Sequence, residues 1–125
     1  MQNLIYIGLL PELIYEFDSH KHPVWEIAYY TSGTGITTIG DKQYNFAPGT
    51  IICQPPELAH SEHSNGGYQN IHFSVHRIGT TLQHGYVFND TPNQDYYQIL
   101  MQLYHEYHMK RDNWENITEA LLNVL

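Results

Sequence analysis

The chain predicts a mainly β protein, one domain in which a barrel or jelly roll of short strands is followed by two α-helices. Three observations carry this reading. Between residues 4 and 88, short runs rich in Ile, Val, Thr, Tyr and Phe are cut at regular intervals by Gly, Pro, Asn or Asp, which favours a barrel or sandwich over a parallel α/β sheet. After Asn89 the apolar period lengthens to that of a helix. A chain of 125 residues with 42% hydrophobic content can bury one core but is too short for two ordinary domains.

The expected strands are residues 4–7, 13–17, 25–31, 35–39, 43–46, 50–54, 59–63 and 69–75, with turns at Ser32-Gly33, Gly40-Asp41, Pro48-Gly49 and Gly66-Gly67. Residues 25–31 are bulky almost throughout, as in a strand covered on both faces. Thr91-Pro92-Asn93-Gln94 then offers an N-cap, a proline at the first helical position and a Gln three residues after the cap. Tyr96, Ile99, Leu100, Leu103, Tyr104 and Tyr107 follow at helical spacing. Asp112-Asn-Trp-Glu115 repeats the capping pattern, and Trp114, Ile117, Leu121 and Val124 share one stripe. Residues 1–89 therefore form the barrel, and residues 90–125 form helices packed on it. A barrel covers only part of such a stripe, so Trp114, Ile117, Leu121 and Val124 are expected at the interface of a homodimer. The last residues carry no Gly, Lys or Arg terminator, and a longer protein is expected to continue from them.

Thirteen acidic against five basic residues give a net charge of -8. Binding to nucleic acid depends on Lys and Arg neutralising phosphates, so this region is a poor DNA ligand by itself. The N-terminus has neither the basic start nor the apolar run of a signal or membrane span, and the single Cys53 cannot form an internal disulfide. A cytoplasmic protein without a membrane partner is expected. Cys53 reads as a buried strand residue, and Asn116-Ile-Thr118 as a chance tripeptide.

The most informative pattern is His20-x-His22-x-x-x-Glu26 with His60 downstream. On one extended strand these even-numbered side chains would emerge on the same side. Three imidazoles and a carboxylate suit Zn, Fe, Mn or Ni. The competing reading is a metal-free, hydrogen-bonded pocket wall, in which a neighbouring His partners the Glu26 carboxylate. That reading is preferred, so no cofactor is required, and a divalent metal in the barrel is the alternative. Tyr30 is in phase with this face, and His72 with Asn70 lines the pocket if their face points inward. Trp25, Ile27 and Tyr29 are expected on the outer side, under the helices. His63, His76, His84, His105 and His108 lack a carboxylate at comparable spacing and read as structural. No phosphate-binding Gly loop, serine nucleophile elbow or Cys paired with a base is present.

The same residues carry a family resemblance. His20-Lys-His22-Pro-Val-Trp-Glu26-Ile-Ala-Tyr-Tyr-Thr-Ser-Gly33 resembles the first cupin motif, and Gly49-Thr-Ile-Ile-Cys-Gln-Pro55-Pro-Glu-Leu-Ala-His60 the second. With residues 39–49 between them, they are similar to the effector-binding domain of AraC-type transcription regulators, strongest over residues 17–75. Ile14, Glu57 and Ser64 stand where the enzyme patterns carry Gly, Gly and Asn, which weighs against metal-dependent catalysis. The resemblance implies a cupin-type double-stranded β-helix that senses a small molecule, a sugar among the candidates. It further implies dimerisation, and contact with DNA only through a C-terminal helix-turn-helix region outside this chain. The effector contacts expected on this reading are His20, His22, Glu26, Tyr30 and His60, with His72 added if its face points inward. The alternative is a stand-alone metallo-cupin enzyme, a dioxygenase, isomerase or lyase with its ion on His20, His22, Glu26 and His60.

Overall fold

The structure, a computed structural model, describes residues 3–78 and 85–124, the side chain of residue 124 excepted. Among these residues the strands are β1 (Leu4–Leu9), β2 (Ile14–His20), β3 (Trp25–Ser32), β4 (Gly35–Ile39), β5 (Lys42–Phe46), β6 (Thr50–Gln54), β7 (His60–Val75) and β8 (Tyr86–Asn89). The helices α1 (Asp95–Met109) and α2 (Trp114–Val124) follow. The pairings are antiparallel in the order β5-β4-β7-β3-β6-β8, with β1 and β2 both on β7. This is the predicted jelly-roll barrel with two C-terminal helices, although β8 had no counterpart among the expected strands.

β7 replaces two expected strands and the turn between them. Its first part pairs with β2 and β4, and residues 69–75 pair with β3. Gly66-Gly67 is therefore not a turn but the bend at which one long strand changes partners. Gly67 has φ +87°, and a Cβ on Gly33, also at φ +87°, would stand 2.1 Å from the Gly67 carbonyl oxygen. Only glycine allows the β3–β4 turn to pass so close to the bend.

Alternation divides the residues between two faces. Ala28 and Tyr30 of β3, Ile52 of β6 and Tyr68 of β7 pack inside the barrel with Ile39 and Phe46. Trp25, Ile27, Tyr29, Ile51, Cys53, Ile71, Phe73 and Val75 face outward and are covered by Leu4 and Ile7 of β1 and by Leu100 and Leu103 of α1. Both faces of β3 are thus apolar because both are covered, as its composition predicted. Burial pushes the Cys53 thiol up to about 11, in keeping with a structural role.

The helix starts differ from the expected ones. Residues 91–94 form a turn in which the Gln94 N–H donates to the Thr91 carbonyl at 2.9 Å. α1 begins only after Gln94, at φ 58°. The Asp90 carboxylate accepts from the Tyr96 and Tyr97 amides at 3.0 and 3.2 Å, while the Thr91 hydroxyl accepts from the Asp95 amide at 3.1 Å. Two carboxylate oxygens satisfy two free amides and complement the helix dipole, which a single hydroxyl cannot do. α2 likewise starts later than the Asp112–Glu115 pattern suggested, after Asn113 at φ 65°, whose carbonyl accepts the Ile117 N–H at 3.0 Å.

The α2 stripe splits. Leu121 packs with Leu122 against this chain's own core, Trp114 meets the edge of Tyr107, and Lys110 Nζ lies 4.1 Å over the Trp114 ring. Ile117 is 37% exposed. The Val124 side chain and His84 lie outside the described residues.

Candidate metal and effector site

His20, His22 and Glu26 do not lie along one strand. His20 ends β2, His22 sits in the connection, and Glu26 belongs to β3. Pro23 explains the break, since it has no N–H to donate to a ladder and constrains the residue before it. Tertiary pairing brings the group together. His20 faces His60 across the β2–β7 pair, and the Glu57 N–H donates to the His22 carbonyl at 2.7 Å, pinning the connection. The metal-competent atoms of His20, His22, Glu26 and His60 all lie within 4.8 Å of one another.

His22 Nε2 is 2.9 Å from Glu26 Oε2, and His60 Nε2 is 3.9 Å from Glu26 Oε1. The His20 and His60 rings are 4.1 Å apart between centroids. His20 Nδ1 faces the Asp18 carbonyl at 2.9 Å, and His60 Nδ1 faces the Leu58 carbonyl at 3.4 Å. A carbonyl can only accept, so both Nδ1 atoms carry the proton and both Nε2 atoms present a lone pair. This is how imidazoles are commonly oriented for a metal. Burial pushes His60 down to about 4, reinforced by the nearby His20 and His22. The ring is therefore neutral at pH 7. Its Nε2 is buried without a partner among the described residues.

These residues fit a divalent cation. Donor–metal bonds of about 2.0–2.2 Å bring ligands within about 4.2 Å of one another, so a small closure of the group suffices. The donor set is right, the His20 and His60 tautomers present lone pairs, and the unpartnered His60 nitrogen lacks only an acceptor for its own; His22, whose Nε2–H donates to Glu26, would exchange that proton for the ion.

The other predicted pocket residues are placed as follows. Tyr30 is fully buried, stacked on Phe46 with centroids 3.9 Å apart, and donates to Glu62 Oε2 at 2.8 Å. His72 is on the inner face, its Nδ1 3.1 Å from Asn70 Oδ1, and burial lowers its pKa against the pull of Glu26. Residues the sequence reading missed stand beside them. Glu62, one rung along β7 from His60, is a buried carboxyl with raised pKa; desolvation outweighs the Tyr30 and Tyr68 hydroxyls that favour its charge, and Glu26 adds to the rise. Its even number, in phase with His60, was a readable signal. Gln54, the Cα partner of Glu26 on β6, is 2% exposed and its Oε1 has no partner among the described residues. Nothing in an isolated strand could have revealed that pairing. A separate cavity of about 600 Å³, lined by Ile27, Ile51, Cys53, Phe73, Leu100 and Leu122 among others, opens on the opposite, helix-covered face.

Similar proteins are known for the fold. An RmlC-like cupin from Shewanella frigidimarina is 15% identical at TM-score 0.52, covering 62% of this chain and 70% of its own. KdgF from Halomonas sp. is also 15% identical at TM-score 0.51, covering 66% and 76%. A conserved Streptococcus pyogenes protein of unknown function is 24% identical at TM-score 0.50, covering 63% and 69%. Comparison with curated proteins gave no match. The sequence pattern of the AraC-like ligand binding domain matches residues 14–125. With that match and a cupin-type barrel beneath it, the chain belongs to the AraC-like ligand-binding domain family.

Proposed function

We propose that this domain senses a small molecule on behalf of an AraC-type transcription regulator, and that the His20–His22–Glu26–His60 end of the barrel is where the molecule is held. The supporting observation is the convergence of four polar side chains from separate parts of the chain, with a buried imidazole nitrogen unpartnered among them. A divalent ion on these four residues would supply Lewis-acid polarisation of an oxygen ligand. Glu26 would hold the charge, and His20 and His60 would offer their Nε2 lone pairs.

β3 is the route of transmission. Glu26 lies on its inner face, and its neighbours Trp25 and Ile27 belong to the core shared with Leu100, Leu103, Leu121 and Leu122. A ligand that binds more tightly when β3 is displaced toward the site favours the helix arrangement that goes with it. The second reading, a stand-alone metallo-cupin enzyme, draws on the donor set. Three imidazoles and one carboxylate leave coordination positions open for a substrate.

The two Trp residues report the two ends of the route. Zn(II) and Mn(II) binding is measured by calorimetry, followed by a thermal-shift screen of sugars and small acids. Hits are then added to a Trp25→Phe variant, in which Trp114 alone reports on α2. A ligand-dependent change in Trp114 emission, abolished by His60→Ala, is expected. Turnover of a hit with silent Trp114 emission replaces the sensor reading with the enzyme one.

A further inference from the structure

We propose that Gln54 selects the ligand. Its Oε1 accepts a hydrogen bond from a hydroxyl next to the group that meets the metal, so the site prefers α-hydroxy carboxylates to carboxylates without that hydroxyl. This rests on the metal reading above and adds to it a residue and a substrate class.

The first argument is placement. Gln54 and Glu26 are directly opposed on β6 and β3, and opposed residues project on the same face with Cβ atoms about 5 Å apart. Ile52, two residues earlier on β6, packs inside the barrel, so Gln54 also points inward, beside a candidate ligand.

The second argument is hydrogen-bond accounting. The other polar groups of the inner face are engaged: Tyr30 with Glu62, Asn70 with His72, Ser64 with the Thr34 carbonyl. Two buried atoms near the site are left without a partner among the described residues, His60 Nε2 and Gln54 Oε1. A buried amide oxygen left unsatisfied destabilises the free protein and is expected to be satisfied in the bound state. One unpartnered atom is an electron-pair donor suited to a metal, and the other is an acceptor suited to an O–H.

The third argument is charge. A divalent ion with Glu26 and three neutral imidazoles carries a net single positive charge, which a monoanionic carboxylate neutralises. An acid with a hydroxyl on the adjacent carbon joins the two complements in one small molecule. A plain carboxylate of the same size leaves Gln54 unsatisfied.

Calorimetry on the whole protein tests the assignment with Zn(II) alone, then with glycolate, with methoxyacetate, in which a methyl replaces the hydroxyl hydrogen, and with propionate, in which a methyl replaces the hydroxyl at the same size. One equivalent of Zn(II) should bind, and the Zn(II)-loaded protein should prefer glycolate by about tenfold or more, the scale of one buried hydrogen bond. Gln54→Leu should erase the preference with unchanged Zn(II) affinity, and Gln54→Met, closer in shape, serves if the Leu variant misfolds. Zn(II) binding without preference for glycolate, or a preference that survives both substitutions, overturns the role of Gln54 and leaves the metal reading standing. Absence of Zn(II) binding overturns both.

Discussion

The tension inside this barrel is concentrated at Glu62. Its carboxyl is buried, its charge is disfavoured by desolvation and by Glu26, and the Tyr30 hydroxyl at 2.8 Å is its clearest compensation. Tyr30→Phe should therefore cost about 1–3 kcal/mol in urea denaturation, because it leaves a buried carboxyl short of a donor. Adding Glu62→Leu should recover part of that loss, since the group needing the donor is gone. An additive double variant would refute the pairing. Glu62 could have been found from sequence by extending the even phase past His60. Gln54 could not, because its importance comes from standing opposite Glu26, a fact of strand pairing.

Element ends are where local patterns misled, and where compensation is easiest to measure. Burial alone would raise the Asp90 pKa, but the Tyr29 hydroxyl and the amides of Tyr96, Thr91 and Tyr97 hold it below the ordinary aspartate value. A depressed carboxylate contributes stability in full above its unfolded value and loses it as pH falls through the folded one. Asp90→Ala should thus cost about 1–2 kcal/mol near pH 7, and the gap from the parent protein should close in acid. Thermal melts from pH 7 down to pH 3 check this, and a gap independent of pH would mean that the carboxylate is not the cap. Gly33 and Gly49 both have positive φ, yet only at Gly33 does an added Cβ meet backbone. Gly49→Ala should cost about 1 kcal/mol of strain, and Gly33→Ala clearly more, with folding compromised. Equal losses would show that strain alone governs the Gly33 site.

For the molecule as a whole, the helices cover the outer face of the strands whose inner face carries Glu26. We expect a dimer that uses the exposed part of α2. Ile117→Asp should shift sedimentation toward monomer with little change in melting temperature, whereas Leu121→Asp should destabilise the fold itself by about 2–4 kcal/mol, because Leu121 packs on its own core. Unchanged sedimentation of Ile117→Asp would move the interface elsewhere. The charge of -8 further predicts no sequence-specific DNA affinity for residues 1–125 at physiological salt, checked by gel shift. No helix among the described residues is long and apolar enough to cross a membrane.

The sequence by itself determined the strand-rich barrel, the apolar character of both β3 faces, the presence of two amphipathic helices and the identity of the four metal-competent residues. Each of these is written in local periodicity or in residue chemistry, which act over a few neighbours. Tertiary structure alone decided how those four residues meet. His20, His22 and Glu26 are divided by Pro23 between a strand end, a connection and a second strand, and pairing with β7 reunites them around His60. It also decided that residues 60–75 form one bent strand instead of two, because residues 60–63 are held by β2 and β4 and residues 69–75 by β3, with the Gly66-Gly67 bend between the two sets of partners. Pairing over long sequence separations sets which side chains share a face and a partner. No local pattern encodes that, and so Gln54 became visible only beside Glu26.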